Sequence, residues 1–202
     1  MKRSKFSVNI AAIVLSLIFF CQNSYAATAS YDQEVIAGGQ RAMTSRVWIK
    51  DEKMRMETSM GKRKGVILIR EDGTYNYDPD RNMVIKMPNF GAMEGGSPNY
   101  VKDPADYMGY LKSVGAVKTG SGDIDGRPCD IYKYTESSHG MDVSATVWVW
   151  KKHPFPLKMI MENPFGNSEV YFRNVRINEP IPESMFELPK NARVMDVTKQ
   201  FR

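Results

Sequence analysis

Asp51-Glu52-Lys53-Met54-Arg55-Met56-Glu57-Thr58-Ser59-Met60-Gly61-Lys62 carries the period that decides the fold. Met54, Met56, Thr58 and Met60 alternate with Lys53, Arg55, Glu57 and Ser59. Successive side chains of an extended chain point to opposite faces, so Lys53–Met60 reads as a strand with one dry face. Asp51-Glu52 and Gly61-Lys62 bound it as turns. The same period runs outward. Upstream lie strands over Ser30–Ile36 and Met43–Lys50, joined by Ala37-Gly38-Gly39-Gln40. Downstream lie Lys64–Arg70, a hairpin dipeptide Asp72-Gly73, the short strand Thr74–Tyr77, the Asp78–Asn82 turn and Met83–Met87. The first block is a meander of strands.

Asn89–Lys102, rich in Gly, Pro and Asn, reads as an exposed loop. Asp103-Pro104-Ala105-Asp106 then opens a helix: Asp103 as N-cap, Pro104 at the first helical position, Asp106 near the positive end of the dipole. Tyr107, Met108, Leu111 and Val114 recur at helical spacing and Gly115 ends the run, so one helix is predicted over Pro104–Val114. Strands resume over Ala116–Ile124, Cys129–Thr135, Asp142–Lys151, Leu157–Glu162 and Glu169–Ile177. Their turns are Asp125-Gly126, His153-Pro154-Phe155-Pro156 and Asn163-Pro164-Phe165-Gly166. Ile181–Pro189 reads as one helical turn that plugs Phe186 and Leu188 into the sheet. The expected fold is mainly β: one curved antiparallel sheet of about eleven strands, an open half-barrel with a covering helix.

The ends bound the compartment and the partners. Residues 1–26 read as an export signal: Lys2, Arg3 and Lys5, an apolar run Ile10–Phe20, then Ser24 and Ala26 before the cleavage point. That run is shorter than the ~20 residues a spanning helix needs. Residues 27–202 then form a single domain. Removing three of 28 basic residues against 23 acidic ones leaves 25 − 23 = +2 instead of +5. So modest a charge argues against nucleic acid as a partner. Cys21 lies within the signal, after Ile18-Phe19-Phe20, without the small residues that mark a lipid-modified cysteine. The reading is therefore a soluble periplasmic protein, a monomer. Cys129 alone remains, so no internal disulfide can form, and a buried strand cysteine is expected.

Strand parity places methionine on the dry face repeatedly. Met54 and Met56 are joined by Met83, Ile85 and Met87, opposite Val84 and Lys86. Leu157, Met159 and Met161 stand opposite Lys158, Ile160 and Glu162, and Phe172 follows Val170. Fourteen methionines in 202 residues is high usage. Methionine is unbranched and polarizable; it specifies a core poorly but moulds to varied apolar ligands. These residues, with Met108 and Leu111 of the helix facing them, are the candidate ligand-binding surface. A methionine-rich core that binds nothing is the alternative. Met54-x-Met56 and Met159-x-Met161, with His139 and His153, also resemble a soft Cu(I) donor set. Yet paired methionines are what any inward strand face produces, so no metal or cofactor is assigned. No G-x-S-x-G, H-E-x-x-H, phosphate loop or C-x-x-C is present. No catalytic residue is assigned, and the chain reads as a non-enzyme.

A resemblance rests on several ordered stretches: Arg46-Val-Trp-Ile-Lys-Asp-Glu-Lys-Met-Arg-Met-Glu57, Thr74-Tyr-Asn-Tyr-Asp-Pro79 leading to Met83–Pro88, and Asp125-Gly-Arg-Pro-Cys-Asp-Ile-Tyr132. Val147-Trp-Val-Trp-Lys151, Pro156-Leu-Lys-Met159 and Ser184-Met-Phe-Glu-Leu-Pro189 follow. Together they resemble the LolA-like carriers that bind lipoproteins in the Gram-negative periplasm. The resemblance implies a half-barrel wrapped around helices, sheltering lipid or lipoprotein acyl chains between an inner-membrane donor and an outer-membrane acceptor, in lipoprotein sorting. Those carriers open and close through an arginine bonded to a helical lid, and neither Arg46 nor Arg55 aligns with it. An interaction or sensor module of the same fold is the alternative function.

Overall fold

The computed structural model describes residues 28–88, 107–138, 141–164 and 166–201. The expected export signal, the Asn89–Lys102 loop, the Asp103-Pro104 helix start, His139 and Phe165 lie outside these residues.

Short turns hold the strands in register. Gly38 and Gly39, and Asp125 with Gly126, take φ of 58°, 74°, 52° and 75°, the positive values that a two-residue hairpin loop of matching twist requires. They join β1 (Ala29–Ala37) to β2 (Gln40–Lys50), and β7 (Val117–Ile124) to β8 (Arg127–Ser138). Lys53–Met60 is β3, as its alternation predicts, followed by β4 (Arg63–Arg70). The Asp72-Gly73 expectation is one residue out. Arg70 pairs with Gly73, so the loop is Glu71-Asp72, and Gly73 opens β5 (Gly73–Asp78). Asp72 serves there as an acceptor for the Tyr75 hydroxyl and the Arg70 guanidinium. Gly73 has φ 146°, and a Cβ on it would lie 2.9 Å from the Met87 carbonyl oxygen. β6 (Met83–Met87) ends this block.

Helix α1 (Tyr107–Ser113) separates it from the second block, in which β9 (Met141–Trp150), β10 (Pro156–Asn163) and β11 (Gly166–Ile177) follow β8. With β12 (Arg193–Asp196) near the chain's end, all join one sheet in the order β12-β6-β5-β4-β3-β2-β1-β11-β10-β9-β8-β7. The chain's first strand therefore pairs with β11, Val35 opposite Val170 and Gln33 opposite Phe172. This antiparallel seam fuses two meanders. Among the described residues the sheet has twelve strands, one more than expected. The addition is β12 (Arg193–Asp196), which runs parallel to β6, Arg193 opposite Met83. Register shifts at Ser30/Asp32, Val35/Ile36, Pro156/Lys158 and Lys118/Gly120 mark irregularities of the bulge type that bend and twist a sheet.

β4 and β6 carry apolar residues on both faces, while β5 between them turns Tyr75 and Tyr77 to one face and Thr74 and Asn76 to the other. The larger cluster, on what is here termed the inner face, gathers Tyr107 and Leu111 of α1 with strands β1–β4 and β8–β11. A second cluster, Leu68, Tyr75 and Val84, occupies the other face beneath Leu188 and Ala192 of the C-terminal tail. Val84 is fully buried there, so the expectation of a polar face opposite Met83, Ile85 and Met87 is corrected. The physical reason is the tail. A 3₁₀ turn (Glu183–Phe186) lies beside β3 with Phe186 buried, as expected. The Arg55 guanidinium donates to the Met185 carbonyl oxygen at 3.2 Å, and Lys50 to that of Ile181 at 3.2 Å.

Candidate functional site

Seven of the eleven candidate residues meet in the inner cluster: Met54, Met56, Leu111, Leu157, Met159, Met161 and Phe172. Cross-strand register shows how. Ile49, Met54 and Ile69 form one row across β2, β3 and β4; Val47, Met56 and Ile67 form the next. Beyond the seam, Val170, Met159 and Val147 continue across β11, β10 and β9, with Ser168, Met161 and Ala145 beside them. Phe172 meets Tyr31 and Phe155 edge-on, at ring-centroid separations of 5.5 and 5.9 Å. Met54 and Met56 are each only 1% exposed and Met159 5%, so their side chains fill a packed interior. A polar row interrupts it: Thr58, Ser45 and Gln33 stand opposite one another, with Ser45 and Gln33 buried.

Met83, Ile85 and Met87 share this face but not the cluster. Ile67, Asn76 and Ile85 stand in one row, and Ile69, Thr74 and Met87 in the next. All three β6 residues are half-buried, and the polar Asn76 and Thr74 of β5 separate them from Ile67 and Ile69. Met108 departs from expectation. It is 36% exposed, because the buried stripe of α1 is the i,i+4 pair Tyr107 and Leu111, and position 108 lies about a quarter-turn away.

The helix is anchored by phenols. Tyr110 donates to Glu136 Oε1 at 3.2 Å, lies 3.3 Å from the Tyr134 hydroxyl, and meets the Tyr134 ring edge-on. Burial pushes the Tyr134 phenol up to about 12, and burial beside Tyr134 pushes Tyr110 higher still. These groups are neutral donors, not acids or bases for chemistry near neutral pH. Cys129 is fully buried, with its thiol directed at the Arg127 carbonyl oxygen at 3.2 Å, and burial raises its pKa. That is the inert strand cysteine the sequence predicts. His153 packs edge-on against Trp150 at 4.8 Å. Among the described residues, no three His, Cys, Asp or Glu side chains form a possible metal site. No helix among them is long and apolar enough to cross a membrane.

A concavity lies on the outer face. A cleft of about 390 Å³ opens between β1, β2, β11 and the tail, lined by Asp32, Arg46, Trp48, Asn174, Arg176 and Met185 among others. None of the eleven candidate residues borders it. A bulge builds one wall: Asn174 takes φ 51° and donates from Nδ2 to Asp32 Oδ2 at 2.7 Å. The Arg46 guanidinium stands 5.3 Å from the Trp48 ring centroid. The sequence signal was available: Trp48 is a large aromatic at a polar-parity position of β2, beside Arg46 at i−2.

No protein family matches this chain, and no curated relative does. Solved structures do. An uncharacterized conserved protein from Thermus thermophilus superposes with a TM-score of 0.58 at 13% identity, over 85% of this chain and 90% of that one. The lipoprotein LppX of Mycobacterium tuberculosis gives 0.53 at 12% identity, over 86% and 96%. A chain of the Pseudomonas aeruginosa MucA/MucB complex gives 0.52 at 13% identity, over 85% of this chain but only 59% of that one. What is shared at such identities is the fold.

Proposed function

We propose that this protein is a non-enzymatic periplasmic carrier, exported by residues 1–26, that shelters the acyl chains of lipids or lipoproteins on its methionine-rich inner face. The observation that carries the reading is the concentration of buried, flexible methionines on that face, Met54 and Met56 on β3 with Met159 and Met161 on β10. Met83, Ile85 and Met87 stand half-buried at its margin, beyond Asn76 and Thr74 of β5. An acyl chain would enter over β6 and displace flexible thioether side chains as it advances. Each CH₂ removed from water returns ~0.8 kcal/mol. Methionine re-packs at low cost, which suits a face that is filled when empty of ligand and open when loaded. The polar row Thr58–Ser45–Gln33 would meet an ester or amide linkage. Transfer from an inner-membrane donor to an outer-membrane acceptor, in lipoprotein sorting, is the process this carrier would serve. The likeness to a structure solved as the MucA/MucB complex supports the second reading, a docking or sensing module.

The test is displacement of a fluorescent fatty-acyl probe from the protein purified out of its native periplasm. The carrier reading expects saturable binding that competing lipid displaces, and Ile85→Glu or Met87→Glu should abolish it with the fold intact. Absence of saturable binding, or binding indifferent to both substitutions, would overturn it in favour of docking.

A further inference from the structure

We propose that the outer cleft is a binding site for a neutral saccharide of one or two rings. It is independent of the acyl-carrier reading, which concerns the opposite face.

The lining combines matched donors and acceptors with one aromatic side chain, Trp48. Arg46 and Arg176 are balanced by Asp32 and Glu179, so the cleft carries no formal net charge. Each guanidinium is engaged through part of its donor set, Arg176 Nη1 with Glu179 and Arg46 Nε with Asp32. Arg46 lies 3.5 Å from Asp32 and is 63% exposed; Arg176 lies 3.4 Å from Glu179 and is 62% exposed. Ion pairs so long and so wet contribute little, and they leave N–H donors and carboxylate lone pairs for another partner. An anion could use the arginines but would face Asp32 and Glu179. A cation would meet the reverse. A hydroxyl both donates and accepts, so a ring of hydroxyls satisfies both halves of the lining without carrying a charge.

The apolar part has a suitable shape. Trp48 is half-buried, and the Arg46 side chain over its ring is mobile enough, at that exposure, to share or yield the indole face. A pyranose presents a face of C–H bonds to such a surface and hydroxyls around its rim. Tyr31 borders the cleft, but its ring is engaged with Phe155 and Phe172 on the inner side. The walls are stiff. Pro180 and Pro182 have fixed φ, and Asn174 is held in a left-handed conformation by its bulge and by Asp32. Pre-organisation of this kind lowers the ordering cost of binding. The 390 Å³ volume lies at the small end of the ligand-pocket range.

The experiment titrates the full exported protein with chitobiose, following intrinsic tryptophan fluorescence and amide NMR shifts. Inorganic phosphate and a proline-rich peptide serve as rival probes. The expected result is saturable binding of chitobiose, with shifts confined to β1, β2, β11 and the tail. Trp48→Ala and Asn174→Gly should each weaken it at least about tenfold in protein that circular dichroism shows to be folded at the titration temperature. Glycine at 174 keeps the left-handed backbone while removing the amide, so that variant stays informative if Trp48→Ala folds poorly. No saturable response, preferential binding of phosphate or peptide, or binding that survives both substitutions would overturn the proposal.

Discussion

Replacing Met56 by glutamate puts a carboxyl where the structure has a thioether that is 1% exposed, between Val47 on β2 and Ile67 on β4. Two costs follow, and pH separates them. Losing the apolar burial of the methionine costs about 2 kcal/mol at any pH. The carboxyl has no cation beside it in that row, so burial raises its folded pKa above the unfolded value of about 4.3. A rise of about three units is worth ~4 kcal/mol, at 1.36 kcal/mol per unit. A raised carboxyl pKa destabilises the folded state once the unfolded chain ionises. The second cost is therefore absent below about pH 4, grows from pH 4 to about 7, and is constant above. For a domain of this size 1 kcal/mol shifts Tm by ~2–4 °C. The variant should melt about 4–8 °C below the parent at pH 4 and about 12–24 °C below it at pH 8. Circular-dichroism melts of both proteins at the two pH values measure this directly. A Tm deficit of only a few degrees that does not change with pH would refute the reasoning. It would mean that water reaches Met56 and that the inner face is an open cavity.

Gly73→Ala should lower stability by about 1–3 kcal/mol, because a side chain at φ 146° is strained and its Cβ would press on the Met87 carbonyl oxygen; an unchanged urea midpoint would contradict this. Hydrogen bonds from Lys50 and then Lys53 hold the Glu183 carboxyl down at about 2. Its anchoring of the tail is thus fully present above the ordinary carboxylate range and lost as pH falls through about 2. Carboxyl-carbon NMR should place the Glu183 midpoint near 2, and Lys50→Ala should move it up; a parent midpoint near 4 would discard the ion pairs. Phe186→Ala should cost about 3 kcal/mol through loss of the tail's buried aromatic, read as a lower denaturant midpoint.

How much was legible depends on how local the signal is. Lys53–Met60 was readable to the residue because it alternates between punctuating turns, and the bounds of Met83–Met87 because the Asp78–Asn82 turn precedes it and Pro88 follows. Val66-Ile67-Leu68-Ile69 carries no such alternation, since β4 is apolar on both faces. The partner of its second face, Leu188 with Ala192, is over a hundred residues away. That separation hid the outer cluster, buried Val84, and β12. Met108 failed for a narrower reason. A seven-residue helix has room for one buried i,i+4 pair, and helical spacing alone does not say which pair the sheet receives. The methionine parity was legible, but side-chain filling of the inner face was not, because alternation reports which side is dry and not how much space remains there. The outer cleft brings together β1, β2, β11 and the tail, four stretches that no spacing rule connects.

The seam between β1 and β11 also orders events in time. Every other antiparallel neighbour in the sheet is joined to its partner by a single connection, whereas Val35 must find Val170 across 134 intervening positions. Closing so long a loop costs entropy before any contact repays it, and pairings of this range are slow to form. The hairpins on either side should therefore assemble early, and the chain should stay open until β11 has arrived. Under the export proposed above, that delay would suit the chain, since β1 would emerge first and its second neighbour nearly last. Pulse-labelled hydrogen exchange during refolding should find the amides of β3 and β4 protected before those that bridge β1 to β11; simultaneous protection would show that the sheet closes in one step.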